Sequence, residues 1–250
     1  MEPALSILSP AYRCAKFLGC MIESVQAQTY ADWELIIVDD GSDDGTLDVA
    51  RQYARRDSRI RTSQIPHGGH SVALNACIAL ARGRLIGRQD ADDWSNPARF
   101  QTQIDLLQQE EADLCSCLMV RVRRRGRCIL GREQGGSGMI PIDFCTNEAT
   151  KGPATATIIC KRGVYDKVGP FRTDVPGHLM GSTDSDWLFR ILLVDNPPYK
   201  WCHVHDELYH YRDHPNQATK RFAKLGRNDH AMFRDQYAPK ILERLKRCAQ

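Results

Sequence analysis

The first hundred residues alternate between short apolar runs and segments whose apolar positions recur at helical spacing. The runs predict four strands, at Leu5–Ser9, Trp33–Asp39, Ile60–Ile65 and Leu85–Gln89. The segments between them predict three helices, at Cys14–Gln28, Leu47–Arg55 and Ser71–Ala81. The second strand is apolar on both faces, as in a sheet covered by helices on both sides. We therefore expect an α/β fold with a doubly wound, mostly parallel central sheet.

The pattern is less regular beyond residue 100 and divides the chain into a large domain, 1–215, and a helical extension, 216–250. For the rest of the large domain we predict a strand at 112–122, a basic hairpin around Gly126, a glycine-rich mobile loop at 131–138, a strand at 153–160, a helix at 161–168, a helix that begins at Thr183 or Asp184, and two short strands within 201–214.

The composition is that of an ordinary globular protein, with 42% hydrophobic and 26% charged residues. A net charge of +3 argues against a general nucleic-acid binder. No apolar run approaches the roughly 18 residues of a membrane span, and no basic segment precedes the N-terminal apolar run as in a signal peptide. We therefore expect a location in the cytoplasm or at the cytoplasmic face of the membrane.

The ten cysteines are scattered, and no Cys-x-x-Cys sequence occurs. This pattern indicates reduced, buried thiols. Cys202, His203 and His205 suggest zinc, but no second ligand pair has suitable spacing.

Candidate chemistry follows the fourth strand, where three carboxylates stand close together at Asp90, Asp92 and Asp93. Open α/β sheets bind ligands at the carboxyl ends of their strands. Alternate aspartates at such a place can share a hard divalent cation, which prefers oxygen ligands and often keeps substrate phosphates in its shell. The alternative is an acidic turn followed by a helix cap.

Two other nucleotide or metal motifs fail. The stretch Asp40–Gly45 matches the first half of a calcium EF-hand loop, but Arg51 stands where that loop needs glutamate. The loop after the first strand, Ser9–Arg13, lacks the Gly-x-Gly-x-x-Gly of a dinucleotide-binding domain, and no Walker A sequence occurs. Phosphate charge must then be met by a metal or by cationic side chains.

Several stretches in order resemble the family 2 inverting glycosyltransferases of GT-A fold. They are Ser9–Arg13, Glu23–Tyr30, Trp33–Thr46, Ala79–Gly83 and Asp90–Asp93. The resemblance is dense from residue 4 to about 100 and thinner over 157–214. It implies a GT-A catalytic domain over 1–215, with a nucleotide-binding half at 1–100 and an acceptor-binding half at 101–215.

The same resemblance implies roles on the donor side. Pro10 and Tyr12, in the loop after the first strand, would line the nucleotide pocket. Asp40 would accept a hydrogen bond from uracil, so the donor would be a UDP-sugar, whereas the alternative for Asp40 is a local turn. Asp90 would contact the ribose or the donor sugar.

It also implies the metal and the base. Asp92 would hold Mn²⁺ or Mg²⁺ on the diphosphate, and His214 would come near the diphosphate or complete the metal shell. Asp184, six residues before Arg190, matches the catalytic carboxylate, with Thr183 in place of the usual glutamate. This spacing favours Asp184 over Asp186, whereas the alternative for either is a helix cap. Asp184 would take the proton of the acceptor hydroxyl in a single displacement. We expect its carboxyl to be free and to face the cation across a sugar-sized gap.

The sequence gives less specific information about the acceptor than about the donor. Residues 217–222 differ from the Gln-x-x-Arg-Trp of processive synthases, which favours transfer of a single sugar to a hydroxyl of a glycan or glycolipid. The C-terminal stretch has an apolar stripe that includes Phe233, Tyr237 and Ile241, with basic residues elsewhere. That stretch would pack on the catalytic domain or on a homodimer partner, or lie on an anionic membrane that carries a lipid-linked acceptor.

Two other functions stay open. Thr183, and Leu74 where many relatives carry arginine, leave room for a catalytically inactive module that binds a nucleotide sugar or a glycan. A sugar-1-phosphate nucleotidyltransferase would need a glycine-rich first loop, which Ser9–Arg13 is not.

Overall fold

Four parallel strands form one half of the central sheet in the computed structural model. They are β1 (Leu5–Ala11), β2 (Trp33–Asp39), β3 (Ile60–Gln64) and β4 (Leu85–Arg88), in the order β3-β2-β1-β4. The structure describes residues 2–123, 126–129, 138–139, 154–174, 183–194, 199–217, 220, 233, 235–241 and 243. Over the first hundred residues, the strand pattern read from the sequence is confirmed to within one or two positions.

Three helices, α1 (Ala15–Gln26), α2 (Thr46–Ala54) and α3 (His70–Leu80), connect these strands. Every residue of β1 and β2 is buried, and alternate positions belong to two separate hydrophobic clusters. One cluster joins Ile7 to the buried face of α1, and the other joins Leu8 to α3. Helices thus cover both faces of the sheet, which explains why its central strands are buried along their whole length.

The second half of the chain extends the same sheet with mixed strand directions. Its elements are β5 (Trp94–Ser95), α4 (Arg99–Gln109), β6 (Leu114–Arg123), β7 (Gly126–Ile129), β8 (Gly138–Met139), β9 (Ile159–Lys161), α5 (Arg162–Val168), α6 (Thr183–Leu193) and β10 (Lys200–Arg212). The order continues β4-β9-β6-β10-β5, with β7 beside β6 and β8 beside β10. Strand β9 is antiparallel to both β4 and β6, whereas β6 and β10 run parallel.

Several predicted elements of this half need correction. The two short strands expected within 201–214 are one strand, β10, whose pairing with β6 shifts register near Glu207. The strand expected at 153–160 begins later, as β9, after a 3₁₀ turn at Thr155–Thr157. The basic hairpin is formed by β6 and β7, with Arg123 opposite Gly126. Gly138 lies in β8, and the remainder of the predicted mobile loop lies outside the described residues.

Pro10 was expected in the loop after the first strand, but it is a buried residue of β1 opposite Val38. On the other side β1 pairs with β4 only as far as Leu8, whose carbonyl accepts the N–H of Gln89. Backbone direction alternates along a strand, so Pro10 faces that same side, beyond the end of the pairing. Its missing N–H therefore costs no ladder hydrogen bond, and the strand continues through it.

The C-terminal segment packs on the large domain where the structure describes it. Residues 235–241 are helical, and Phe233, Tyr237 and Ile241 are buried in the same cluster as Trp187 of α6. Among the described residues, none of the helices has the length and apolar character to cross a membrane.

Seven described cysteines between residues 14 and 202 are free thiols, and all of them except Cys20 are buried.

Candidate active site

The three aspartates after β4 differ in exposure. Asp90 and Asp92 keep 26% and 30% of their side chains exposed, whereas Asp93 is fully buried. The Asp93 carboxylate accepts hydrogen bonds from Tyr209 Oη at 2.9 Å and from the backbone N–H of Arg212 at 2.7 Å. Burial, with the nearby Asp92 and Asp90 charges, raises the pKa of Asp93 well above its usual value. Asp93 thus fastens β10 to the turn that presents its two neighbours.

Asp92 meets His214 just beyond the end of β10. His214 Nε2 lies 2.8 Å from Asp92 Oδ2, and Arg212 Nε donates to the Asp92 carbonyl at 2.8 Å. The His214 ring packs on Phe17, with 4.5 Å between ring centroids. Two side chains predicted to bind metal are therefore in direct contact.

This pair supplies one carboxylate and one imidazole as metal ligands. The part of the chain that the structure describes holds no group of three or more His, Cys, Asp or Glu side chains suited to a metal ion. A bound cation would thus need most of its ligands from water and substrate oxygens. Magnesium and manganese sites of phosphate-handling enzymes use one or two carboxylates with waters and substrate phosphates, and imidazole is a borderline ligand for manganese. Asp92 therefore fits a cation held jointly with a diphosphate, and His214 fits manganese better than magnesium.

Asp40 lies beneath the surface of the predicted nucleotide pocket, with 3% of its side chain exposed. Its carboxylate accepts the backbone N–H groups of Gly68 at 2.7 Å and Gly69 at 2.9 Å, and lies 2.8 Å from His67 Nδ1. The next residue, Gly41, has φ +70°, and a Cβ there would lie 2.9 Å from the His67 backbone nitrogen. Only glycine fits this approach without strain. Asp40 therefore holds the 67–69 loop in place.

The exposed surface above Asp40 is aromatic. The Tyr12 ring stacks on His67, with centroids 4.2 Å apart and planes at 15°. Sequence reasoning named Tyr12 and missed His67. No local motif marks His67, because its position beside Tyr12 depends on the strand order β3-β2-β1, in which the segments after β1 and β3 meet beyond the end of β2.

Asp184 stands in the first turn of α6, with 34% of its side chain exposed. Arg88 Nη1 donates to one carboxylate oxygen at 2.8 Å, and Thr155 Oγ1 donates to the other at 2.7 Å. The expectation of a free carboxyl is therefore wrong. Burial alone would raise the pKa of Asp184, but the Arg88 charge, the nearby His70 and these hydrogen bonds outweigh it and lower the pKa.

Arg88 is the residue that sequence reasoning overlooked. It is 2% exposed, in a strand of four buried residues. Besides Asp184, its guanidinium reaches Asp90 Oδ1 at 3.2 Å and His70 Nε2 at 3.1 Å. The sequence did contain a signal for it, because an arginine in an apolar strand must be buried and a buried cation needs carboxylate partners. One guanidinium therefore joins the turn after β4 to the first turn of α6.

Asp186, the other acidic residue in the first turn of α6, has a different environment. It is fully buried, and it accepts hydrogen bonds from Arg190 Nε at 2.8 Å and from Tyr237 Oη at 2.7 Å. Arg190 also donates to two backbone carbonyls, those of Val168 and Pro170. Arg190, which marked Asp184 by its spacing, thus pairs with Asp186 instead.

The two departures from the family pattern are buried packing positions. Thr183 Oγ1 lies 2.7 Å from Ser71 Oγ, which joins the start of α6 to α3. Leu74 is fully buried in the cluster beneath α3.

A family model described as glycosyl transferase family 2 matches residues 6–168 of the chain. The chain belongs to this family. Among its relatives is the uncharacterized glycosyltransferase EpsJ of Bacillus subtilis (strain 168), 28% identical over 254 residues. That match covers 96% of this chain and 70% of EpsJ.

Two solved structures share the fold of this chain. Staphylococcus aureus TarS 1-349 in complex with UDP has a TM-score of 0.70 at 18% identity, covering 98% of this chain and 71% of that one. The mannosyltransferase PcManGT from Pyrobaculum calidifontis, in complex with GDP-Man and Mn²⁺, has a TM-score of 0.63 at 18% identity, covering 100% of this chain and 76% of that one. The mixed sheet with helices on both faces is thus the GT-A fold.

Proposed function

We propose that this family 2 glycosyltransferase transfers a single sugar from a UDP-sugar to a hydroxyl of a glycan or glycolipid, with inversion at the anomeric carbon. The observation that carries the proposal is the shared guanidinium of Arg88, which contacts both Asp90 and Asp184. Asp90 and the candidate base Asp184 therefore share one cationic partner, although they come from different halves of the chain, and this supports a common site.

On the donor side, Tyr12 and His67 offer an aromatic surface on which a nucleobase can stack, and Asp40 supports that surface from below. Pro10 is part of the buried floor beneath it. Asp90 would contact the ribose or the donor sugar. TarS, solved with UDP, supports uracil as the base, although PcManGT was solved with GDP-Man.

On the leaving-group side, Asp92 and His214 would hold Mn²⁺ or Mg²⁺. When bound, such an ion neutralises charge that develops on the departing diphosphate. The proximity of these two side chains supports this role, because an ion that replaced the proton between Asp92 and His214 would have both within reach.

On the acceptor side, Asp184 would act as the general base. Its lowered pKa keeps the carboxyl ionised at neutral pH, and a third of the side chain remains exposed. Each carboxylate oxygen can accept more than one hydrogen bond, so Asp184 can still receive the acceptor hydroxyl. It would remove the hydroxyl proton as that oxygen forms its bond to the anomeric carbon and the bond to the diphosphate breaks. No covalent sugar–enzyme intermediate is required.

The test compares the wild-type chain with Asp184→Asn and with Asp206→Asn, which changes an exposed carboxylate of β10. UDP affinity with and without Mn²⁺ is measured first, and then transfer and slow hydrolysis over a panel of UDP-sugars. We expect Asp184→Asn to lose about 100-fold or more in turnover and to keep its UDP affinity. A chain that binds UDP yet turns over no donor would instead be the inactive binding module.

We also propose a location in the cytoplasm, at the membrane face if the acceptor is lipid-linked. The described apolar residues of the C-terminal segment face the domain, so a membrane contact would have to use its other face. Fractionation of cells that express the chain, with and without residues 233–250, tests this. Self-association stays a prediction, which sedimentation of the purified chain tests.

A further inference from the structure

Arg88 has an unusual set of partners for a buried cation. Its two terminal nitrogens contact four side chains from four segments: His70 at the start of α3, Asp90 after β4, Thr155 in the 3₁₀ turn and Asp184 in α6. The remaining nitrogen, Nε, is buried without a hydrogen-bond partner in the described part of the chain. All the polar contacts of the guanidinium are thus concentrated at its tip.

The two carboxylates that contact Arg88 are more exposed than Arg88 itself. Asp184 and Asp90 keep 34% and 26% of their side chains exposed, whereas Arg88 keeps 2%. The guanidinium therefore lies behind both carboxylates and has almost no surface for a substrate to touch. A stabilising ion pair needs only one carboxylate, yet Arg88 donates to two, Asp184 and Asp90, and both of these remain partly exposed.

We propose that Arg88 is a positioning residue, which acts through Asp184 and Asp90 by holding the base and the donor-side aspartate in one fixed relation. This inference rests on the proposed transferase function, in which Asp184 is the base. Thr155 completes the arrangement, because its hydroxyl accepts from Arg88 at 2.9 Å and donates to Asp184 at 2.7 Å.

The proposal has a consequence for the pH dependence of turnover. Among the described residues, Arg88, His70 and Tyr165 are the charged or titratable groups that interact with Asp184, and Asp90 shares the Arg88 guanidinium with it. Burial opposes ionisation of Asp184, and Arg88 is the largest influence that favours it. Without Arg88 the pKa of Asp184 should rise, so the acidic limb of the kcat–pH profile should move to higher pH.

Arg99 provides a matched control. It too is a fully buried arginine of the same region, but its described partners are neutral: Gln89, Ser95, Gln103 and two backbone carbonyls. Its replacement removes a buried guanidinium and its hydrogen bonds without removing an ion pair to the base. A merely structural effect should therefore be the same for both arginines.

The experiment measures kcat–pH profiles, UDP affinity with Mn²⁺ and thermal unfolding for Arg88→Met, Arg88→Lys, Thr155→Val and Arg99→Met. We expect Arg88→Met to lose about 10- to 100-fold in kcat, by analogy with other residues that orient catalytic groups, and to shift the acidic limb upward. Arg88→Lys should recover part of both effects. Arg99→Met should lower the unfolding temperature and leave the limb in place. If Arg88→Met does not fold, Arg88→Lys and Thr155→Val still report the shift.

Two outcomes would overturn the inference. One is an acidic limb that stays at the wild-type pH in the Arg88 and Thr155 variants while Asp184→Asn abolishes turnover. The other is a loss of kcat in Arg88→Met that only matches the loss of folded protein, as in Arg99→Met. Failure of the transferase proposal looks different, because the wild-type chain would then bind UDP and turn over no donor. Wild-type turnover in Asp184→Asn would instead exclude Asp184 as the base.

Discussion

His214 Nε2 lies 2.8 Å from Asp92 Oδ2, although 122 residues separate the two in the chain. The contact arises because β10 runs antiparallel to β5, with His210 opposite Trp94. That pairing carries the end of β10 back to the turn after β4. Asp93 also holds the end of β10 against this turn, because its carboxylate accepts hydrogen bonds from Tyr209 and Arg212.

A metal shared by Asp92 and His214 should lose affinity when either is replaced. We expect His214→Ala to weaken Mn²⁺ binding to the UDP complex by about tenfold, and Asp92→Asn to weaken it further, since loss of a carboxylate also removes charge. Calorimetric titration of Mn²⁺ at saturating UDP measures both. His205→Ala, which changes an exposed histidine of β10, is the control. Unchanged Mn²⁺ affinity in His214→Ala would exclude His214 from the metal shell.

Asp40 should act on nucleotide binding through the 67–69 loop. In Asp40→Asn the amide group can no longer accept from Gly68, Gly69 and His67 together, so the loop should loosen. We expect UDP affinity to fall by about 10-fold or more, corresponding to the loss of one to two hydrogen bonds. His67→Ala should cost less, because the Gly68 and Gly69 hydrogen bonds remain. A larger loss in His67→Ala than in Asp40→Asn would contradict this order.

Tyr237 should anchor the C-terminal segment through Asp186. Tyr237→Phe keeps the ring that packs near Phe189 but removes a 2.7 Å hydrogen bond to a fully buried carboxylate. We expect the free energy of unfolding to fall by about 2 kcal/mol, measured by urea denaturation. Tyr53→Phe removes a 2.6 Å hydrogen bond to the exposed Glu23 and should cost less than about 1 kcal/mol. Equal losses would mean that burial of the acceptor does not matter here.

His203 should make the fold sensitive to mild acid. Burial, together with the neighbouring His205, lowers the pKa of His203 to about 4, so the unfolded chain binds its proton first as the pH falls. Stability from the neutral imidazole is complete above pH 6.5 and is lost as the pH falls toward 4. At pH 5 this loss amounts to about 2 kcal/mol.

Urea denaturation of wild type and His203→Gln at pH 7 and pH 5 tests this dependence. The variant should be less stable at pH 7, because it loses the contact with Ser116, but it should lose less between pH 7 and pH 5. His205→Gln, which changes an exposed histidine two residues away, removes only the smaller of the two influences on His203, so it should keep most of the wild-type pH dependence. The same slope in His203→Gln and wild type would contradict the assignment.

The amino-acid pattern was enough to predict the alternation of strands and helices in the first hundred residues, the four parallel strands β1–β4 and the position of Asp90 and Asp92 after β4. These features are local, because each depends on side-chain periodicity within a dozen residues and on the turn that follows a strand. The same local rules predicted two strands where β10 is continuous, since a shift of register interrupts the periodicity without ending the strand.

The contacts that define the site depend on tertiary packing and could not be predicted from local sequence. Arg88 and Asp184 are 96 residues apart, and Asp40 and Gly68 are 28 apart. No local pattern connects such pairs, because they meet only through the order of the strands and the placement of α6. For the same reason the sequence could name Asp184 but could not foresee its arginine partner. Periodicity along one element determines which way a side chain points, whereas the packing of distant elements determines what it meets.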